Sequence, residues 1–135
     1  EERLARQKGA FFILQICSSL KIQAPTVALA CTFFQRFYMR ESFKHHSNYD
    51  IAATCLYIAW KISEKDSHVT LFKMIIATAR KAQKNENLQI SERSLEYWKW
   101  RRTILDKEPL VLATLCFDTE VKDVFQGLCD TCCAL

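Results

Sequence analysis

Two apolar segments between Thr26 and Glu64, TVALACTFFQRFYM and NYDIAATCLYIAWKISE, constrain the fold more than anything else in this chain. In the first, Val27, Ala30, Cys31, Phe34, Phe37 and Tyr38 recur at helical spacing, and Leu29 and Phe33 fill the other side. A helix apolar almost all round belongs inside a protein. In the second, only Thr54 interrupts the run from Ile51 to Ala59, and Asp50 and Lys61 flank it closely. That is about ten residues where a bilayer needs roughly twenty, so both segments read as buried core helices, not membrane spans.

The rest of the composition agrees with a helical domain. Two glycines and two prolines in 135 residues are too few for the turns a sheet requires. A chain of this length folds as one domain and buries about two thirds of the surface its unfolded form exposes. The start at Glu1 and the stop within an apolar run suggest a piece of a longer protein, with no signal peptide in view. A net charge of +4 favours an acidic partner without demanding one. Seven cysteines are an odd number, and Cys17, Cys31, Cys55 and Cys116 sit among apolar residues in expected helices. They read as small buried hydrophobes in a reducing compartment.

Periodicity divides the chain further. A first helix over about Glu2 to Leu20 stripes Phe12, Ile13, Ile16, Cys17 and Leu20 on one side, with Arg3, Arg6, Gln7 and Lys8 opposite. Gly9 inside it costs about 1 kcal/mol relative to Ala, which a close helix contact would explain. Pro25 restarts the chain at a first helical position, and Ser47 or Asn48 is able to cap the third helix. A fourth helix faces inward with Phe72, Ile75, Ile76 and Ala79 and closes on Arg80, Lys81 and Lys84. A fifth runs from about Ser91 to Cys116, with a kink or break expected near Asp106 because Pro109 lies inside it. Thr119 to Leu135 carries helical spacing of its own and no partner helices.

Other constellations point to little chemistry. His45 and His46 are adjacent and His68 stands alone, so solvated loop histidines are expected and no metal site. Cys129-Asp130-Thr131-Cys132-Cys133 contains a C-x-x-C without a second pair of ligands. The run Tyr97 to Arg102 interleaves aromatics with cations, but helical geometry puts Trp98 with Arg102 and sends Trp100 and Arg101 elsewhere, so packing aromatics beside solvated charges are expected. With two glycines neither a phosphate loop nor a dinucleotide fingerprint is possible, and no H-E-x-x-H or G-x-S-x-G occurs. The sequence reads as a non-enzyme without cofactors.

Arg6-Gln7-Lys8-Gly9-Ala10, Phe34 to Met39, Ser42-Phe43-Lys44, Ala52 to Leu56, Ala59 to Glu64, Thr78-Ala79-Arg80, and Glu108 followed by Leu112 to Asp118 together resemble the first cyclin box of transcriptional cyclins of the K and T types. Ser63, Gln35 and Pro109 depart from that family's usual pattern. The resemblance implies an all-α, five-helix cyclin box over residues 1–118, built round the buried hairpin, with 119–135 beginning a truncated second box. It further implies a regulatory subunit that binds and activates a cyclin-dependent protein kinase as a heterodimer, in the nucleus, the kinase being one that phosphorylates the RNA polymerase II C-terminal domain in transcription. Lys61 and Glu108 would be the polar clamp on the kinase, with Ile58, Ile62 and Leu112 as its apolar floor. No membrane and no direct nucleic-acid contact are expected. The alternative is a transcription factor of the IIB type, which uses the same fold on promoter DNA.

Overall fold

The computed structural model describes residues 1–64 and 66–115. Cys116, the boundary expected after Asp118, the start of a second box from Thr119 and the C-x-x-C at Cys129 lie outside the described residues. Among the described residues the fold is all-helical: α1 Glu2–Leu20, α2 Ala24–Arg40, α3 Asn48–Ser63, α4 Leu71–Ala82 and α5 Leu95–Thr114.

α3 is the axis. Its residues Ile51 to Ala59 are buried without a gap, and it packs against all four other helices. Its partner α2 supplies Phe33, Phe34 and Phe37, all fully buried. Continuous apolar character selects the interior position, and the remaining, more amphipathic helices close round it.

Gly9 shows how closely α1 approaches that hairpin. A Cβ there would lie 2.1 Å from Cζ of Phe34. The close contact inferred from the sequence is present, and it explains a residue that local helix propensity disfavours.

Polar groups fix the joints. Arg6 was expected on the solvent side of α1; it is half-buried, since its guanidinium donates to the Tyr38 carbonyl at 2.7 Å and to Gln35 Oε1 at 2.8 Å. It thereby satisfies a carbonyl in the last turn of α2, one that the helix cannot use. Gln35, a departure from the family pattern, is thus Arg6's partner. At the other end of α2, Asp66 is 1% exposed; its Oδ1 accepts from the Gln23 N–H at 3.0 Å and its Oδ2 from the Thr26 hydroxyl at 2.9 Å. The hydroxyl of Ser63, another departure, lies 3.1 Å from that of Thr26.

Several boundaries differ from expectation. Pro25 occupies the second helical position, because α2 begins at Ala24. Ser47, one of the two expected residues, stands at the N-cap of α3 but makes no side-chain cap bond, and the Asn48 amide donates to the Ala5 carbonyl. Residues Ser91 to Ser94 form a turn closed by the Ser94 N–H to the Ser91 carbonyl at 2.9 Å, so α5 starts at Leu95. Nor does Pro109 break α5, which runs continuously past it to Thr114. Proline removes one N–H, and packing of Ile104 and Val111 on either side holds the helix through that gap. His46 is not a solvated histidine either: its ring is half-buried, 5.5 Å from that of Phe37.

Cys17 and Cys55 are buried and Cys31 half-buried, all three free thiols. Burial pushes Cys17 up to about 12 and raises Cys31 and Cys55 as well. Since the thiolate is the nucleophile, we expect Cys17 and Cys55 in the folded protein to resist iodoacetamide at about pH 8, and to react only on unfolding. Mass spectrometry of alkylated peptides checks this; rapid native labelling of either would contradict the packing.

Candidate kinase-docking face

Lys61 lies in the last turn of α3 and Glu108 in the second half of α5. They are 47 residues apart in sequence, and the packing of α3 on α5 brings Lys61 Nζ to 2.7 Å from Glu108 Oε1. The Lys61 side chain is 46% exposed and that of Glu108 is 18% exposed, so the pair sits at the surface with its lysine end open to water. Tyr57, one turn before Lys61, places its ring 5.0 Å beneath the ammonium. The tyrosine is buried and holds the stem from below.

The hydrogen bond that Lys61 donates to Glu108 raises the lysine's pKa above its ordinary 10.5. A raised folded-state value means that the pair's contribution is whole below the usual lysine range and disappears as pH climbs through the folded value. Around neutrality Lys61 is therefore charged. An exposed ion pair of this kind is worth about 0–1 kcal/mol to the fold. Its substitution therefore tests recognition almost free of stability effects.

The apolar residues expected beside the clamp divide into two groups. Ile62 is 41% exposed and Leu112 is half-buried one turn beyond Glu108, so both present surface. Ile58 is 3% exposed and belongs to the core. It supports the floor from beneath and cannot be touched by a partner, because the inward side of α3 packs on the rest of the bundle. Leu105, half-buried and one turn before Glu108, lies on the same flank of α5 and was not anticipated.

The aromatic and basic run at the start of α5 also departs from expectation. Trp100 packs inward, but Trp98 is 51% exposed and it is Arg101 that stacks on it, 5.5 Å from ring centroid to guanidinium. Arg102 instead faces Asp106 at 3.6 Å. No group of three His, Cys, Asp or Glu among the described residues could hold a metal ion, and none of the described helices is long and apolar enough to cross a membrane.

A helical box whose third and fifth helices present a lysine and a glutamate together on an open face defines the class: a cyclin box. The family described as "Cyclin, N-terminal domain" matches residues 2–120, and the chain belongs to the cyclin family. It is 40% identical to Cyclin pch1 of Schizosaccharomyces pombe over 90% of this chain and 35% of that protein. It is 32% identical to Cyclin-K of Danio rerio over 91% of this chain and 27% of the relative. Cyclin-T1-2 of Arabidopsis thaliana is 32% identical over 95% of this chain and 27% of the relative. The chain thus spans about a third or less of these curated relatives, and they bear out its likeness to transcriptional cyclins of the K and T types.

Proposed function

We propose that this chain is the kinase-binding box of a regulatory cyclin, and that the kinase it activates acts in the nucleus on the RNA polymerase II C-terminal domain. The Lys61–Glu108 pair at 2.7 Å, open on its lysine side, carries the reading. The resemblance to transcriptional cyclins supports the choice of substrate and compartment.

A protein kinase works only when a glutamate of its mobile αC helix pairs with the strand lysine that positions the ATP phosphates. A partner that binds this helix in its active position therefore switches phosphoryl transfer without supplying a catalytic group. Moving the kinase from about 1% to about 99% active requires a preference for the active form of roughly 5.5 kcal/mol. An apolar contact through Ile62, Leu105 and Leu112 supplies area, and the charged pair sets register by donating and accepting hydrogen bonds at the end of the kinase helix. On docking, Lys61 and Glu108 each have hydrogen-bonding capacity beyond their mutual bond.

Lys61→Ala and Glu108→Ala are expected to leave the helical content and thermal midpoint of the protein nearly unchanged while weakening binding of the co-purifying kinase at least tenfold. Quantitative pull-down with the full-length protein measures this. Parental binding by both variants would remove the clamp.

A further inference from the structure

The face of α5 that carries Glu108 does not end there. Trp98, Arg101, Leu105, Glu108 and Leu112 follow one another at alternating spacings of three and four residues. That spacing keeps them within one narrow stripe along the helix. Between Trp98 and Glu108 the stripe runs about 15 Å, at a rise of about 1.5 Å per residue.

Trp98 is unusual among the exposed groups because it is held in place. Its indole N–H donates to the Glu92 carbonyl at 2.6 Å, its ring meets the edge of Tyr97 at 5.4 Å, and Arg101 covers one face. Tyr97 is itself buried and braced by Phe72 at 5.4 Å. Half of the tryptophan nevertheless remains in water, and Leu95 beside it is 82% exposed. A rigid half-exposed aromatic loses little freedom on binding, and Trp and Arg are the residue types that dominate interface energetics. Arg101 makes no ion pair among the described residues, in contrast to Arg102, so its guanidinium is available to a carboxylate.

We infer that Trp98 and Arg101 form a second docking point for the same kinase, taking a segment that carries an acidic side chain next to an apolar one and adjoins the helix held at Lys61 and Glu108. The inference rests on the kinase-binding reading above. Continuity of the stripe with the clamp selects the kinase as occupant, and the unpaired guanidinium over an aromatic selects the acidic and apolar chemistry. Two anchors about 15 Å apart would fix the orientation of a helix and its neighbouring segment, which one charged pair cannot do.

The test uses the full-length protein and its co-purifying kinase, with affinity measured at two salt concentrations and the thermal midpoint measured for each variant. Trp98→Ala is expected to weaken binding roughly 30-fold and Trp98→Phe much less. Arg101→Glu is expected to weaken binding at least tenfold and to reduce its dependence on salt, with an unchanged midpoint. If both Trp98→Ala and Arg101→Glu bind as the parent does while Lys61→Ala and Glu108→Ala lose affinity, the second docking point is wrong and the clamp stands. If all four bind normally, the kinase-binding reading itself fails. A loss confined to Trp98→Ala and matched by a fall in its midpoint would make the tryptophan a structural residue and would likewise overturn the inference.

Discussion

Gly9→Ala is expected to lower the stability of this domain by about 3 kcal/mol, although alanine is the better helix former by about 1 kcal/mol. The new methyl carbon would sit 2.1 Å from Phe34 Cζ, and both other ring atoms it meets are at 2.8 Å. Phe34 has nowhere to retreat: it is fully buried, with Tyr38 5.2 Å away edge-on and Phe43 at 6.4 Å. Relief requires α1 to move off α2, which also strains the bonds from Arg6 to Gln35 and Tyr38. Thermal unfolding should show a midpoint lower by roughly 10 °C. Shortening the ring with Phe34→Leu in the same molecule should recover part of the loss, giving a coupling energy of about 1 kcal/mol or more in a double-mutant cycle. A midpoint at or above the parent's would mean that α1 does not approach α2 as closely as described.

Asp66→Ala is the second large effect, again about 3 kcal/mol. Removing this buried carboxylate leaves the Gln23 N–H and the Thr26 hydroxyl without their acceptor at the start of α2. Both are at a helix N-terminus, where donors have no partner within the helix and a nearby acceptor is most useful. Asp66→Asn keeps one oxygen and should cost about 1 kcal/mol. Hydrogen exchange locates the damage: faster exchange confined to the first turn of α2 and to the segment after α3 is expected. Uniform loss of protection, or none, would show that the aspartate does not pin these two segments.

These two sites mark where sequence reasoning succeeds and where it stops. The buried hairpin was legible because α2 and α3 are apolar over nearly their whole circumference, a property no surface helix shares. Gly9 was legible as an anomaly, since glycine inside an amphipathic helix needs a reason. Lys61 and Glu108 could be brought together only by resemblance, because nothing in a 47-residue separation says that two side chains meet. Asp66 was invisible: it follows the end of α3 in a polar run that reads as solvated, and only the path of the chain back over α2 buries it. The same holds for Arg6, whose helical position pointed outward until Gln35 and the Tyr38 carbonyl closed over it. Of the kink or break expected at Pro109, the break is absent because tertiary packing on both sides of the proline outweighs one missing hydrogen bond. Trp98 was placed beside Arg102, whereas Arg101 is the residue that stacks on it; three-residue and four-residue spacings are both neighbours on a helix, and only the side-chain directions decide between them.

The central claim is that the surface between Lys61 and Leu112 lies against the mobile helix of a kinase, and site-directed photo-crosslinking tests it without relying on loss of function. A benzophenone amino acid placed at Ile62, which is exposed beside the clamp, would be irradiated in the full-length protein bound to its kinase. Crosslinked peptides mapping to the αC helix of the kinase or the loop before it are the predicted result. Efficient crosslinks from that position to another part of the kinase, or none at all while the kinase stays bound, would contradict it.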